Sequence, residues 1–146
     1  MIPAHDPSTG NLPAGEHLAQ WAAVVERFGT TLWRRQLLEG LAHALRDLRA
    51  AGCKRAYSDG SVVDTEDHRG DFDACWDLDD VDFDVIDEVL LTFDTGRGAQ
   101  KARYRGELFP ADAAADPLCT LFRDFFQRDR DGNRKGIIVI DLESFG

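Results

Sequence analysis

The sequence predicts an α+β fold with a mixed β-sheet packed against helices, on three observations. Leu37, Leu38, Leu41, Leu45 and Leu48 recur at helical spacing between Gly29 and Gly52, which marks a long amphipathic helix with one buried stripe. Lys135-Gly-Ile-Ile-Val-Ile-Asp-Leu-Glu143 is of strand length and centred on four consecutive apolar residues, Ile137 to Ile140, the pattern of a strand buried on both faces. Between them, two strand-like segments, Lys54 to Asp59 and Gly70 to Trp76, flank a Gly60-Ser61 turn and a polar loop.

The remaining elements follow in order. Residues up to Gly15 are rich in Pro, Gly and Asp without periodicity and read as an N-terminal arm (1–15). A first helix is expected over Glu16–Phe28, a stop and cap at Gly29-Thr30-Thr31, and the leucine helix from there to Ala51. After the acidic loop Asp77–Asp82, a helix is expected over Phe83–Phe93 with Val85, Val89 and Leu90 inside. Arg103–Phe109 alternates like a strand closed by Pro110. Pro117–Gln127 reads as a helix burying Leu118, Leu121, Phe122, Phe125 and Phe126, and Asp131-Gly-Asn as the turn into the final strand. A sheet of about four strands results, in a single domain spanning 1–146.

Composition excludes several function classes. At 146 residues and 43% hydrophobic, the chain buries one core. Its net charge of −10 and pI near 4.7 oppose non-specific binding to DNA, which draws its affinity from Lys and Arg on phosphates. Cys53, Cys75 and Cys119 have neither disulfide nor zinc spacing, so reduced thiols and a cytoplasmic location are expected. The first residues lack a basic start and an apolar run, so neither a signal peptide nor a membrane span is expected.

The chemistry-bearing pattern lies in Gly60-Ser-Val-Val-Asp-Thr-Glu-Asp-His-Arg-Gly-Asp-Phe-Asp73. Side chains two apart on a strand share a face, so Asp71 and Asp73 are expected side by side with Phe72 turned away. Carboxylates about 4 Å apart repel by roughly 4 kcal/mol at the effective dielectric of a protein surface. Such a pair is expected to take up Mg²⁺, with two ions one option, or to share a proton. Glycine lets a backbone approach phosphate closely and Ser61 adds a hydroxyl donor. Arg97, Lys101 and Arg103 are the cations placed for a triphosphate clamp, although in an acidic protein each is equally a partner for surface carboxylates. His68, lying between the motif halves, reads as surface.

A strand, Gly-Ser, a nine-residue spacer and Asp-hydrophobic-Asp resemble the signature of the nucleotidyltransferase superfamily, the fold of polymerase beta and of minimal nucleotidyltransferases. More broadly, Asn11-Leu-Pro-Ala-Gly, Glu26-Arg-Phe-Gly, Asp59-Gly-Ser, Gly70-Asp-Phe-Asp-Ala-Cys-Trp-Asp, Ala99-Gln-Lys-Ala-Arg, Gly106-Glu-Leu-Phe-Pro and Lys135-Gly-Ile-Ile-Val-Ile-Asp-Leu are similar to the DUF6932 type of bacterial protein. The superfamily resemblance implies a nucleotidyltransferase-like sheet and Mg²⁺-dependent transfer of a nucleoside monophosphate from a nucleoside triphosphate to an acceptor hydroxyl. The acceptor is left open among protein, RNA and small molecule, and toxin–antitoxin or defence modules are the biology it suggests. Asp71 and Asp73 would hold metal, and a third carboxylate would complete the site. Two positions qualify. Glu107 is preferred on motif order, in a place where aspartate is usual, and Asp141 is the alternative, an acid inside an apolar strand. The competing reading is a catalytically inactive domain of the same fold that binds or regulates a partner.

Overall fold

The computed structural model describes residues 12–58, 72–91, 98–113, 115, 118, 120–128, 134–143 and 145. Among the described residues there are five strands, β1 (Gly15–Ala19), β2 (Arg55–Ser58), β3 (Phe72–Trp76), β4 (Gly106–Pro110) and β5 (Gly136–Asp141). Four α-helices accompany them in the same residues: α1 (Trp21–Phe28), α2 (Leu32–Ala50), α3 (Gly98–Tyr104) and the single turn α4 (Phe122–Phe125). One open sheet has the order β1-β5-β2-β3-β4. It is mixed: β1 runs parallel to β5 and β3 to β4, while β2 is antiparallel to both neighbours. The architecture is α+β.

Strand alternation divides the core in two. On one face Ala56, Ala74, Trp76, Leu108, Ile138 and Ile140 pack under α1, α2 and α3, whose Val24, Phe28, Leu38, Leu41, Leu45, Leu48 and Tyr104 are buried with them. On the other, Tyr57, Cys75, Phe109, Ile137 and Val139 meet Phe122 and Phe126 of the α4 segment. Phe109 and Phe122 stack with ring centroids 4.1 Å apart. Helix α2 forms where its leucine stripe predicts it, and the Thr31 side chain caps it by accepting from the Arg34 N–H at 3.1 Å.

Four expectations are corrected. Residues 15–19 form a strand, not the start of a helix: Glu16, His17 and Leu18 alternate beside Ile137, Ile138 and Val139 of β5, and the pairing outweighs the helical reading. Of the helix expected over 83–93, the described residues 83–91 are turns followed by a 3₁₀ helix, Glu88–Leu91. There the carboxylates of Asp82 and Asp87 accept from the N–H groups of Asp84 and Val89, a local alternative to α-helical bonding. Leu90 is buried, but Val85 is 59% exposed. Arg103 and Tyr104 close α3 and are not strand; Tyr104 enters the core and Arg105 takes φ 68° to turn the chain into β4. Between Pro117 and Gln127 only Phe122–Phe125 is helical among the described residues, and Leu118 is 87% exposed.

Two packing devices fix the edge strand β4. Gly40 on α2 lies against the backbone of Tyr104, where a Cβ would overlap the Tyr104 carbonyl. Gln100, fully buried on α3, accepts from the Leu108 N–H at 2.9 Å and donates to the Val89 carbonyl at 3.2 Å. Its amide therefore satisfies a β4 backbone donor and ties the 3₁₀ turn to the same point. Gly40→Ala is expected to destabilise the protein by about 1–3 kcal/mol through overpacking. Gln100→Leu, similar in volume, should cost on the order of 2 kcal/mol because it strands the Leu108 N–H. Denaturant midpoints at unchanged m-value check both.

Cys53 and Cys75 are buried free thiols. Burial pushes the Cys53 thiol up to about 11, and its S–H donates to the carbonyls of Arg55 at 3.3 Å and Asp77 at 3.4 Å. At pH 8 the thiolate, which is the reactive form, makes up roughly one part in a thousand of Cys53. Neither thiol should react with a disulfide reagent in the native protein within the time that denaturant exposes both, as thiol titration with and without guanidinium will show.

Candidate active site

The sheet registers decide which acids meet. In the parallel β3–β4 pair Asp73 stands directly beside Glu107, and Ala74 beside Leu108. Ala74 and Leu108 belong to the helix-covered core, so alternation turns Asp73 and Glu107 together to the opposite face, the one that carries Cys75 and Phe109 two residues on. Both residues are half-buried. Lys101 reaches from α3 to Glu107, Nζ to Oε1 3.3 Å. One cation thus offsets the repulsion that a neighbouring carboxylate pair would otherwise carry.

Asp141 stands elsewhere. It ends β5 opposite Arg55, and β2 lies between β5 and β3. With Tyr57 opposite both Val139 and Cys75, Asp141 falls four residues along the sheet from the Asp73 row, ~13 Å, and two strands, ~10 Å, across. Its Oδ1 accepts from the Glu143 N–H at 3.0 Å, closing the turn after β5. Glu107 and Asp141 are not interchangeable neighbours of Asp73.

The cations expected to clamp phosphate separate as well. Arg103 bonds Asp87 at 2.8 Å and lies 3.6 Å from Asp47 of α2, which places it in the helical layer on the other face from Asp73 and Glu107. Asp47 also accepts from the Tyr104 hydroxyl at 2.8 Å and faces His43 at 3.5 Å. Burial, reinforced by Asp47, holds the Tyr104 phenol well above its ordinary value. Lys101 alone of these cations touches the acidic pair among the described residues. Gly60, Ser61, Asp71 and Arg97 lie outside the described residues.

Two groups on the Asp73 face escaped the motif reading. Tyr57 donates to Asp77 at 3.2 Å, and the Arg123 guanidinium lies 5.8 Å from the Tyr57 ring centroid and 3.7 Å from Glu16. Burial raises both the Tyr57 phenol and the Asp77 carboxyl. Strand alternation at Tyr57 was the one available signal for this group. Arg128, Arg134 and Lys135, on either side of the segment expected to turn into the final strand, line a cavity beside the start of β1 and β5.

Among the described residues no cluster of three or more His, Cys, Asp or Glu has the arrangement of a metal centre. The Asp73–Glu107 pair supplies two hard oxygen donors side by side, which suits Mg²⁺ in donor type: that ion is commonly held by one or two carboxylates, with substrate phosphates and water filling the other positions.

Neither a curated protein nor a solved structure matches the chain. A family model matches residues 3–141, nearly the whole length, and it is that of a family of unknown function, DUF6932. The chain belongs to the DUF6932 family.

Proposed function

We propose that the protein is a Mg²⁺-dependent nucleotidyltransferase whose acidic centre is Asp73 and Glu107, joined by Asp71. The observation that carries this reading is the side-by-side placement of Asp73 and Glu107 on one sheet face, together with the Gly60-Ser61 and Asp71-Phe72-Asp73 pattern of the sequence. The three carboxylates would hold the cation, which when bound supplies charge neutralisation to the phosphates of a nucleoside triphosphate. A carboxylate of the pair accepts the proton of the acceptor hydroxyl as its oxygen bonds to the α-phosphorus; the bond from that phosphorus to the bridging oxygen breaks, and pyrophosphate leaves. Ser61 is assigned to phosphate positioning. Lys101, 3.3 Å from Glu107, is assigned to release its carboxylate and turn to the phosphates when cation and nucleotide enter.

That same ion pair favours the second reading, a domain of this fold without turnover. Glu107 is one methylene longer than the aspartate usual at this point, and it already has a cation partner. Under this reading the acidic pair is a fixed surface feature of a binding or regulatory domain.

Incubation with each labelled nucleoside triphosphate and Mg²⁺ in cell lysate, followed by a search for transferred label, separates the two. Under the transferase reading Asp73→Asn and Glu107→Gln each lower the rate by about 10²- to 10⁴-fold, while Asp141→Asn leaves it within a few-fold. Equal losses from Asp141→Asn and Glu107→Gln, in variants with unchanged thermal stability, would remove the acidic pair from the chemistry. No transfer by the wild type with any of the four nucleotides would leave the binding reading.

A further inference from the structure

The chain carries net charge −10, yet three cations converge on one cavity. It has a volume of about 550 Å³ and is lined by Arg128, Arg134 and Lys135, with Asp124, Thr120 and Gln127 among the other walls. The two arginines are brought together by the backbone: Arg128 and Arg134 stand directly opposite in an antiparallel bridge, braced by the Lys135 N–H bonding the Gln127 carbonyl at 2.8 Å. Directly opposed residues have Cβ atoms about 4.5–5.5 Å apart, and like charges in that relation repel. Among the described residues of the lining, three are cationic and one, Asp124, is a carboxylate.

We infer that this cavity is a binding site for the phosphate group of a phosphorylated small molecule, held by Arg128 and Arg134 with Lys135 beside them. Guanidinium groups present paired N–H donors matched to phosphate oxygens. Thr120 and Gln127 also stand in the wall, the Gln127 amide donating to the Arg123 carbonyl at 3.2 Å. An anion between the arginines sets two attractions against the repulsion of the opposed pair.

The site's position gives it a use without lending it support. The cavity lies at the start of β5, where Gly15 pairs with Gly136. The α4 segment that walls it packs through Phe122 and Phe126 on the same sheet face as Asp73 and Glu107. Strand β5 lies two strand spacings, ~10 Å, from β3, within the span of a nucleotide. The charge argument does not use the acidic pair and stands whether or not the protein transfers nucleotides.

The test is calorimetric titration of the full chain with inorganic pyrophosphate and with AMP, in EDTA, at constant ionic strength set by chloride. Saturable binding of at least one ligand is expected. The double variant Arg128→Ala, Arg134→Ala should weaken it at least ~10-fold, the loss of charge-assisted hydrogen bonds, and Asp124→Asn should tighten it. Tighter binding of pyrophosphate identifies the ligand as a polyphosphate chain; tighter binding of AMP identifies a phosphomonoester with its nucleoside. Arg46→Ala, an exposed charge on α2, should change affinity less than two-fold. Absence of saturable binding at millimolar ligand, equal affinity in the double variant, or an equal loss in Arg46→Ala overturns the inference.

Discussion

The structure depends on the burial of β5 between β1 and β2. Ile137, Ile138, Val139 and Ile140 are each at most 5% exposed, and their side chains alternate between the helix-covered core and the aromatic cluster under α4. A single strand therefore anchors both layers. It also supplies the hydrogen-bonding partner of β1, a strand whose own residues, Glu16, His17 and Leu18, would not hold an extended form alone. Register propagates outward from it: β5 fixes β2, β2 fixes β3, and β3 sets Glu107 beside Asp73.

What could be read in the sequence divides along the same line. Elements whose burial is written in their own residues were legible: the leucine stripe of α2 with its Thr31 cap, the Ile-rich β5, and the two strands flanking the Gly-Ser turn. Elements that exist because of a neighbour were not. Residues 15–19 are a strand by virtue of β5, and α3 extends through Tyr104, whose backbone lies against Gly40 of α2 while its side chain is buried in the core. The segment after Asp82 lost its helix to two aspartates whose side chains bond backbone N–H groups two residues on. A periodicity count records apolar spacing and is blind to that competition.

The site shows the same limit at finer grain. Asp73, Glu107 and Asp141 were all visible as acids in strands, but the choice of neighbour for Asp73 depends on strand order, which no local pattern encodes. Arg103 looked like a phosphate ligand by proximity in sequence, and its place between Asp47 and Asp87 follows only from the docking of α3 on α2. The opposed pair Arg128 and Arg134 is separated by five residues that read as a turn, so its meaning appears only when the bridge is seen.

The contact between Gly40 and Tyr104 bears on mobility. Helices that meet through side chains can slide as rotamers rearrange, whereas backbone pressed on backbone leaves no soft layer to absorb a shift. Helix α3 is further pinned by Gln100 to β4 and to the 3₁₀ turn. The platform that presents Lys101 to Glu107 is thus rigid. Separating Lys101 from Glu107 therefore needs only rotation within the lysine side chain itself, a motion of nanoseconds and not of the slower kind that moves whole elements.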